Sequence, residues 1–184
     1  IKRTLFKWAH DLAMRWEPEG ANGWWYTLQL AIAQKLVFSK VKAALGLTEI
    51  GAVASGSAAL QSRLARFFNG AGIPVQEGYG LTETSPVITV NTFRKPNMFR
   101  VGSVGKVIDG VEVRLAEDGE ILCKGPNVMM GYFKSEEQTA EVLRDGWFHT
   151  GDIGVIESGF LRITDRKKEL FKTSGGKYVA PQVL

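Results

Sequence analysis

Two short apolar segments separated by a helical segment lie between residues 49 and 76 of this chain. Residues 49–54 and 73–76 are the apolar segments, and residues 58–69 between them have the spacing of a helix. Strands joined through a helix pack side by side and parallel, because the crossover returns the chain to the same end of the sheet. This part of the chain is therefore predicted to contribute a βαβ unit to a mostly parallel sheet.

Small polar residues and glycines mark where the predicted helices begin and end. The run Ser-Gly-Ser at 55–57 can cap the helix over 58–69, and Gly70 can end it. An earlier helix is predicted over residues 27–45, because apolar residues recur there at helical spacing and Gly46 provides a stop.

The pattern changes after Pro96 to short stretches of alternating apolar and polar residues, which is typical of strands. The predicted strands are 101–105, 111–115, 120–124, 153–156 and 160–164, the last two joined by a turn at Ser158-Gly159. One helix is predicted over 135–144, where Ser135 and Gln138 have the spacing of a capping box. The predicted fold class is therefore α/β followed by mostly β.

Basic charge and tryptophan are concentrated at the front of the chain. Residues 1–45 hold seven Lys or Arg against three Asp or Glu, which accounts for the whole surplus of +4, and four of the five tryptophans. Interfacial aromatics beside basic charge suit a surface that meets anionic lipid, and a solvated helix face over core aromatics is the alternative. No nucleic-acid partner is expected, since so small a surplus comes without a recognised binding module.

Cys123 is the only cysteine, so no internal disulfide can form and nothing demands an oxidising compartment. It lies in a predicted strand and is interpreted as a core residue. No secretory leader is recognised, and no uncharged stretch reaches the roughly 18 apolar residues that span a bilayer. A cytoplasmic location is expected, with peripheral contact to a membrane as an open addition.

A loop rich in chemical groups directly follows the second predicted strand, where ligands of open α/β sheets bind. Gly78 and Gly80 would let a flat ring approach the backbone, and Tyr79 between them offers a stacking face. Thr82 supplies a hydroxyl for a phosphate oxygen, and Glu83 supplies a hard oxygen ligand for Mg²⁺. The loop is predicted to bind a ligand.

Four motifs stand in a fixed order along the chain. They are YGLTE at 79–83, GEI at 119–121 with GY at 131–132, WFHTGD at 147–152, and DRKKE at 165–169 followed by a glycine loop at 174–181. Their order and spacing resemble those of the adenylate-forming superfamily, which contains acyl-CoA synthetases, luciferases and peptide-synthetase adenylation domains. The resemblance extends over roughly residues 33–184.

The DRKK and HTGD forms and the run at 36–41 resemble the long-chain acyl-CoA synthetases in particular. The resemblance implies activation of a long-chain fatty acid by ATP to an acyl-adenylate, then thioester formation with CoA, with Mg²⁺ required. It implies a partial adenylation domain, with a βαβ sheet layer and a distorted β-barrel. The implied parts are 1–97 (helical and α/β), 98–165 (β-rich) and 166–184 (hinge and start of a C-terminal domain).

The same resemblance assigns roles to the nucleotide-site residues. It implies that Tyr79 stacks on adenine, with Gly78 and Gly80 beside it in the cofactor-binding loop. Thr82 would contact the phosphate, and Glu83 would ligate Mg²⁺, which makes both candidate catalytic residues. The ribose hydroxyls would fall to two further residues, Asp152 and Arg166.

Further roles follow for two glycine-containing loops and the hinge. Residues 55–59 resemble the family's SGGAP loop, in which Ser57 and Ala58 would wall the adenine and acyl pockets. This sequence departs from that loop, with Ser57 and Ala59 where Gly and Pro are usual. Lys168, or Asp165 in the alternative assignment, would act at the hinge.

Gly175 and Gly176 would approach the pantetheine of CoA. His149 is interpreted as structural, because a fatty carboxylate is already ionised at neutral pH and needs no general base.

The resemblance also predicts that the chain is an internal segment of a longer ligase. The family's phosphate loop would lie upstream of it and its adenylation lysine downstream, so no turnover is expected from this chain alone. Uncovered sheet edges predict self-association as a homo-oligomer. Two alternatives stay open: an aryl-acid or luciferase-like adenylating enzyme, and a non-catalytic interaction module of the same fold.

Overall fold

The computed structural model describes residues 2–167 and the backbone of residues 171–172 and 178–179. Its contacts divide the chain into two compact units, neither of which is continuous in sequence. The first unit comprises Ile1–Glu77 and Asn91–Gly102, and the second comprises Gly78–Val90 and Ser103–Leu184. The division into parts 1–97, 98–165 and 166–184 stays a prediction.

Helices dominate the first unit. They are α1 (Lys2–Ala13), α2 (Gly23–Ala33), α3 (Ser39–Ala44) and α4 (Ser62–Gly70), with a short 3₁₀ turn at Pro18–Gly20. The helix predicted over 27–45 begins four residues earlier, at Gly23, and is interrupted by five π-helical residues, Gln34–Phe38. The helical spacing of buried apolar residues did not predict this start, because Trp24 and Trp25 in the first turn of α2 are exposed and do not belong to the buried face.

The core of the first unit lies where α1 meets α2 and α4. Its buried members are Ala9, Leu12, Ala13, Leu30, Ala33, Phe38 and Ala71. A Cβ added to Gly70 would lie 2.7 Å from the Cα of Ala13, so a glycine is needed for α4 to come this close to α1. None of the helices in the described part of the chain is long and apolar enough to cross a membrane.

The predicted βαβ unit is confirmed. Strand β1 (Val53–Ser55) pairs in parallel with the first residues of β2 (Val75–Tyr79), and α4 lies between them in sequence. The predicted start of this helix at residue 58 is wrong, since α4 begins at Ser62 with Gln61 as its N-cap. Ser57 has a φ of 66°, a left-handed conformation that ends the extended segment without starting a helix.

Antiparallel strands make up most of the second unit. They are β3 (Thr89–Asn91, of which Asn91 is assigned to the first unit), β4 (Lys106–Val107), β5 (Glu112–Leu115), β6 (Glu120–Lys124), β7 (Leu143–Arg144), β8 (Trp147–Glu157) and β9 (Phe160–Arg166), with helix α5 (Glu136–Val142) before β7. The order in the larger sheet is β5-β6-β8-β7, and β9 pairs with β8. Two further strands, β10 (Phe171–Lys172) and β11 (Tyr178–Val179), form an antiparallel pair. This architecture confirms the predicted succession of α/β and mostly-β parts.

Three local predictions for this unit have different outcomes. The turn at Ser158-Gly159 is confirmed, with φ values of 52° and 80°. The strand predicted over 101–105 is wrong, because Gly105 with a φ of 93° makes only an isolated bridge to Leu161. The predicted capping box is also wrong: Ser135 precedes α5, but its hydroxyl donates to the Gln138 side chain at 3.0 Å instead of accepting from the backbone.

One apolar cluster underlies the sheet of the second unit. Its buried members are Tyr79, Ile88, Val104, Ile121, Cys123, Phe148 and Leu161. Burial raises the pKa of the Cys123 thiol to about 11, which keeps it protonated near neutral pH. The interpretation of Cys123 as a core residue is confirmed.

Candidate functional site

The loop after β2 is held in a tight conformation. Thr84 closes it, since its hydroxyl donates to the carbonyl of Leu81 at 3.0 Å and accepts the Leu81 N–H at 2.9 Å. A Cβ on Gly80 would overlap the carbonyl oxygen of Pro86 and lie 2.9 Å from the Cα of Val87, so only glycine fits there. The close approach of Gly80 to Pro86 therefore fixes the backbone conformation of the loop, and a larger residue at position 80 would disrupt it.

The segment after β6 supports this loop. The side-chain amide of Asn127 donates to the carbonyls of Thr84 and Val87, both at 3.0 Å, and the N–H of Met129 donates to the carbonyl of Glu83 at 2.8 Å. Thr82 lies on the outside of the resulting turn with its side chain exposed.

Glu83 is oriented by a tyrosine. The hydroxyl of Tyr132 donates to Glu83 Oε1 at 2.9 Å, and burial together with the negative charge of Glu83 raises the pKa of Tyr132. The sequence interpretation quoted the GY motif but gave Tyr132 no role. Among the described residues, no group of three or more His, Cys, Asp or Glu side chains is placed to hold a metal ion.

Three of the predicted nucleotide-site residues come together at a buried carboxylate. Asp152 in β8 is 5% exposed. The hydroxyl of Tyr79 donates to Asp152 Oδ2 at 2.7 Å, and the Arg166 Nε–H donates to Oδ1 at 3.2 Å. Asp152 and Arg166 also face each other in the β8–β9 register. Tyr79 stays a neutral donor, because burial raises its pKa far above its usual range.

This cluster can bind neighbouring hydroxyl groups. Each oxygen of the Asp152 carboxylate has more than one lone pair, so each can accept a further hydrogen bond besides those from Tyr79 and Arg166. The Arg166 side chain is 64% exposed, and only its Nε–H donates to Asp152, so its guanidinium has further N–H donors to offer. A buried carboxylate beside an exposed guanidinium suits a vicinal diol, which offers two donors and two acceptors.

A second buried carboxylate, Glu120 at the start of β6, lies next to this cluster. The N–H of Gly151 donates to Glu120 Oε1 at 3.0 Å, and Lys167 Nζ donates to Oε2 at 2.9 Å. His149 Nδ1 lies 3.1 Å from the same Oε2. Burial alone would raise the pKa of Glu120, but these hydrogen bonds, above all that from Lys167, hold it below the ordinary value.

Lys167 connects this carboxylate to the preceding turn. Its ammonium also lies 2.7 Å from Asp118 Oδ2, and hydrogen bonds to Asp118 and Glu120 raise the pKa of Lys167. Sequence reasoning quoted the motifs that contain Glu120 and Lys167 but assigned neither a role, since no spacing rule links residues 47 positions apart.

The other predicted site residues lie elsewhere. Ser57 and Ala58 belong to the first unit, where both are exposed in the loop between β1 and α4. Ser57 holds the left-handed conformation that would suit the glycine usual in the family loop. Lys168, Gly175 and Gly176 lie outside the described residues.

Curated proteins that align with the full length of this chain are CoA ligases and synthetases. Long-chain-fatty-acid–CoA ligase FadD15 of Mycobacterium bovis is 43% identical over 187 aligned positions, covering 100% of this chain and 30% of the relative. Long chain acyl-CoA synthetase 7 of Arabidopsis thaliana is 41% identical, covering 100% of this chain and 27% of the relative. The chain thus spans about 30% of the length of such a relative.

Solved structures with the same fold are adenylate-forming enzymes. The o-succinylbenzoate CoA synthetase of Bacillus subtilis, in complex with its acyl-adenylate intermediate, matches with a TM-score of 0.64 at 33% identity over 72% of this chain and 29% of that one. The same enzyme with ATP and magnesium ion matches with a TM-score of 0.63 at 27% identity, over 80% of this chain and 38% of that one.

The family model described as AMP-binding enzyme matches residues 18–133, which is more than half of the chain and includes the Tyr79–Glu83 loop. Together with the relatives and the shared fold, this match shows that the chain belongs to the family of AMP-binding enzymes.

Proposed function

We propose that this chain is part of an AMP-forming long-chain fatty acid:CoA ligase and carries most of its nucleotide site. The cluster of Tyr79, Asp152 and Arg166 is the observation that carries the proposal, because it places a diol-binding carboxylate beside the loop of the YGLTE motif. The names of the relatives supply the substrate class. We call the full-length protein of which this chain would be a part the complete ligase.

The proposed reaction has two halves. The fatty carboxylate attacks the α-phosphorus of ATP and pyrophosphate leaves, after which the CoA sulfur attacks the acyl carbon and AMP leaves. Catalysis of this kind depends on positioning and on neutralising phosphate charge. Asp152 and Arg166 would hold the ribose, and the exposed hydroxyl of Thr82 would donate to a phosphate oxygen. Stacking of adenine on Tyr79 stays a prediction.

Glu83 fits the proposed Mg²⁺ ligand. Mg²⁺ is typically bound by one or two carboxylates together with substrate phosphates and water, and does not need a cage of protein groups. The Glu83 carboxylate is half-buried and is fixed at Oε1 by Tyr132, which leaves Oε2 to face a cation. When bound, Mg²⁺ would supply charge neutralisation at the phosphates.

An aryl-acid ligase is the second candidate. It is favoured by solved structures of the same fold, which include the o-succinylbenzoate CoA synthetase above. The relatives that are more similar in sequence carry long-chain names, which is why we place it second.

We expect the complete ligase to form an acyl-adenylate from palmitate and ATP, measured by mass spectrometry or by exchange of labelled pyrophosphate into ATP. Glu83→Gln should lower this rate by about 100-fold, because an amide is a much weaker Mg²⁺ ligand than a carboxylate. Glu137→Gln, at an exposed carboxylate on α5, is the control and should leave the rate unchanged. A preference for benzoate or anthranilate over palmitate would favour the aryl-acid ligase. If no acid gave an adenylate, both the long-chain and the aryl-acid proposals would be rejected.

We further propose peripheral contact with an anionic membrane through the first unit. Exposed apolar side chains recur about every fourth residue along α2 and the π-helical turn, namely Trp24, Trp25, Leu28, Ile32 and Leu36. Lys35 and Lys40 are exposed near the end of this stripe, where they could meet lipid phosphates. The cytoplasmic location and self-association stay predictions.

The membrane contact can be measured by co-sedimenting the complete ligase with phosphatidylglycerol vesicles. The double substitution Trp24→Ser and Trp25→Ser should weaken binding by at least about tenfold, since each indole loses apolar burial in the interface. Ile156→Ser, at an exposed apolar residue of the second unit, is the control. Unchanged vesicle binding by the double variant would contradict the proposal.

A further inference from the structure

Glu120 is hydrogen-bonded to a sequence neighbour of each member of the Asp152–Arg166 pair. Its Oε1 accepts the N–H of Gly151, the residue directly before Asp152. Its Oε2 accepts from Lys167, the residue directly after Arg166. Because β8 and β9 are antiparallel, Gly151 and Lys167 lie at the same end of the pair, and one buried carboxylate is hydrogen-bonded next to each member there.

The backbone ladder is irregular at this place. The β6–β8 register shifts between Glu120 and Leu122, and the β8–β9 register shifts between Ile153 and Gly154. Gly151 has a φ of 73°, so the strand departs from extended geometry just before Asp152. The regular register is thus interrupted at both strand pairings beside Asp152, and at this place the Gly151 N–H donates to the Glu120 side chain.

We propose that Glu120 is a positioning residue, which sets the distance and orientation between Asp152 and Arg166 and thereby the recognition of the ribose diol. This inference rests on the proposed function, in which that pair binds ribose. Glu120 itself does not touch the nucleotide. It acts through Gly151 in β8 and through Lys167, the residue directly after β9.

The role requires a carboxylate. Glu120 is 4% exposed and receives donors at both oxygens, so its buried carboxylate would lose hydrogen bonds at both oxygens if the side chain turned away. A glutamine of the same size has one acceptor oxygen, and its NH₂ group would face either the Gly151 N–H or the Lys167 ammonium. Glu120→Gln should therefore lose its hydrogen bond to either Gly151 or Lys167 while removing no side-chain volume.

The test compares ATP with 3′-deoxy-ATP in the complete ligase. We expect kcat/KM of the unaltered enzyme to favour ATP, because only ATP presents both ribose hydroxyls to Asp152 and Arg166. Glu120→Gln should reduce the ratio of the two kcat/KM values by about tenfold, which is the scale of one misplaced hydrogen bond to a charged group. Glu117→Gln, at an exposed carboxylate of the preceding turn, should leave the ratio unchanged.

Equal loss of activity on both nucleotides in Glu120→Gln would assign Glu120 a merely structural role and overturn the inference. If Glu120→Gln does not fold, Lys167→Met allows the same comparison of ATP with 3′-deoxy-ATP, because the contacts of Glu120 with Gly151 and His149 do not involve Lys167. An unaltered enzyme that forms the adenylate equally well from both nucleotides would remove the ribose role of the pair, and with it the inference. An enzyme that forms no adenylate at all would instead reject the proposed function, so the two failures are distinguishable.

Discussion

Asp152→Asn is expected to reduce acyl-adenylate formation by the complete ligase by about 100-fold or more. An amide at this position has only one acceptor oxygen, whereas Tyr79 and Arg166 each donate to a different oxygen of Asp152. The amide nitrogen would face one of these donors, and the group that remains would present less negative charge to the ribose hydroxyls. The measurement is the initial rate of adenylate formation at saturating palmitate.

Asp145→Asn is the matched control for this variant. Asp145 is exposed in the turn before β8 and has a φ of 51°, which asparagine also adopts readily. Its rate should equal that of the unaltered enzyme. If Asp152→Asn retained activity within about threefold of that rate, the carboxylate would have no part in nucleotide binding, since a lost charged hydrogen bond costs more than this.

Gly80→Ala is expected to destabilise the complete ligase by about 3 kcal/mol or more, at the upper end of what overpacking costs. The added methyl group would overlap the carbonyl oxygen of Pro86, and backbone atoms cannot move aside as a flexible side chain can. The loop that carries Thr82 and Glu83 would have to shift, so nucleotide binding should be lost together with stability. Urea unfolding followed by tryptophan fluorescence measures the first effect.

Gly78→Ala provides the comparison for this prediction. A Cβ there would lie 3.5 Å from the carbonyl oxygen of Thr89, which is an ordinary van der Waals contact. Gly78→Ala should therefore change the free energy of unfolding by less than about 1 kcal/mol, because the methyl group fits without displacing its neighbours. Equal unfolding midpoints for the two alanine variants would show that the loop relaxes around Pro86 and that the close contact is not a constraint.

Local sequence patterns predicted which helices and strands form better than they predicted the residues at which these elements begin and end. The βαβ order and the Ser158-Gly159 turn follow from short-range preferences and are confirmed. The start of α4 could not be read from spacing, because Ser57 in its left-handed conformation delays the helix to Ser62. The irregular backbone at Gly105 likewise reflects a contact with Leu161, more than 50 positions away in the sequence.

In the candidate site, too, residues within a motif were predicted and residues that depend on long-range contacts were not. The motifs singled out Asp152 and Arg166 from the sequence alone, and the structure brings them together at 3.2 Å. Their roles in nucleotide binding stay predictions. Glu120, Lys167 and Tyr132 were missed as site residues, because each acts through a partner brought close only by folding, and a one-dimensional pattern contains no such pairing.

The turn at Ser158-Gly159 has a consequence for how the chain folds. Positive φ at both central residues matches the right-handed twist of paired strands, so β8 and β9 can close on each other as a local hairpin, an event that takes about 1–10 μs. Asp152 and Arg166 are only 14 positions apart across this hairpin, whereas the contact between Tyr79 and Asp152 closes a loop of 73 positions. The carboxylate–guanidinium pair should therefore form early in folding, and Tyr79 should join it late, after the longer loop has closed.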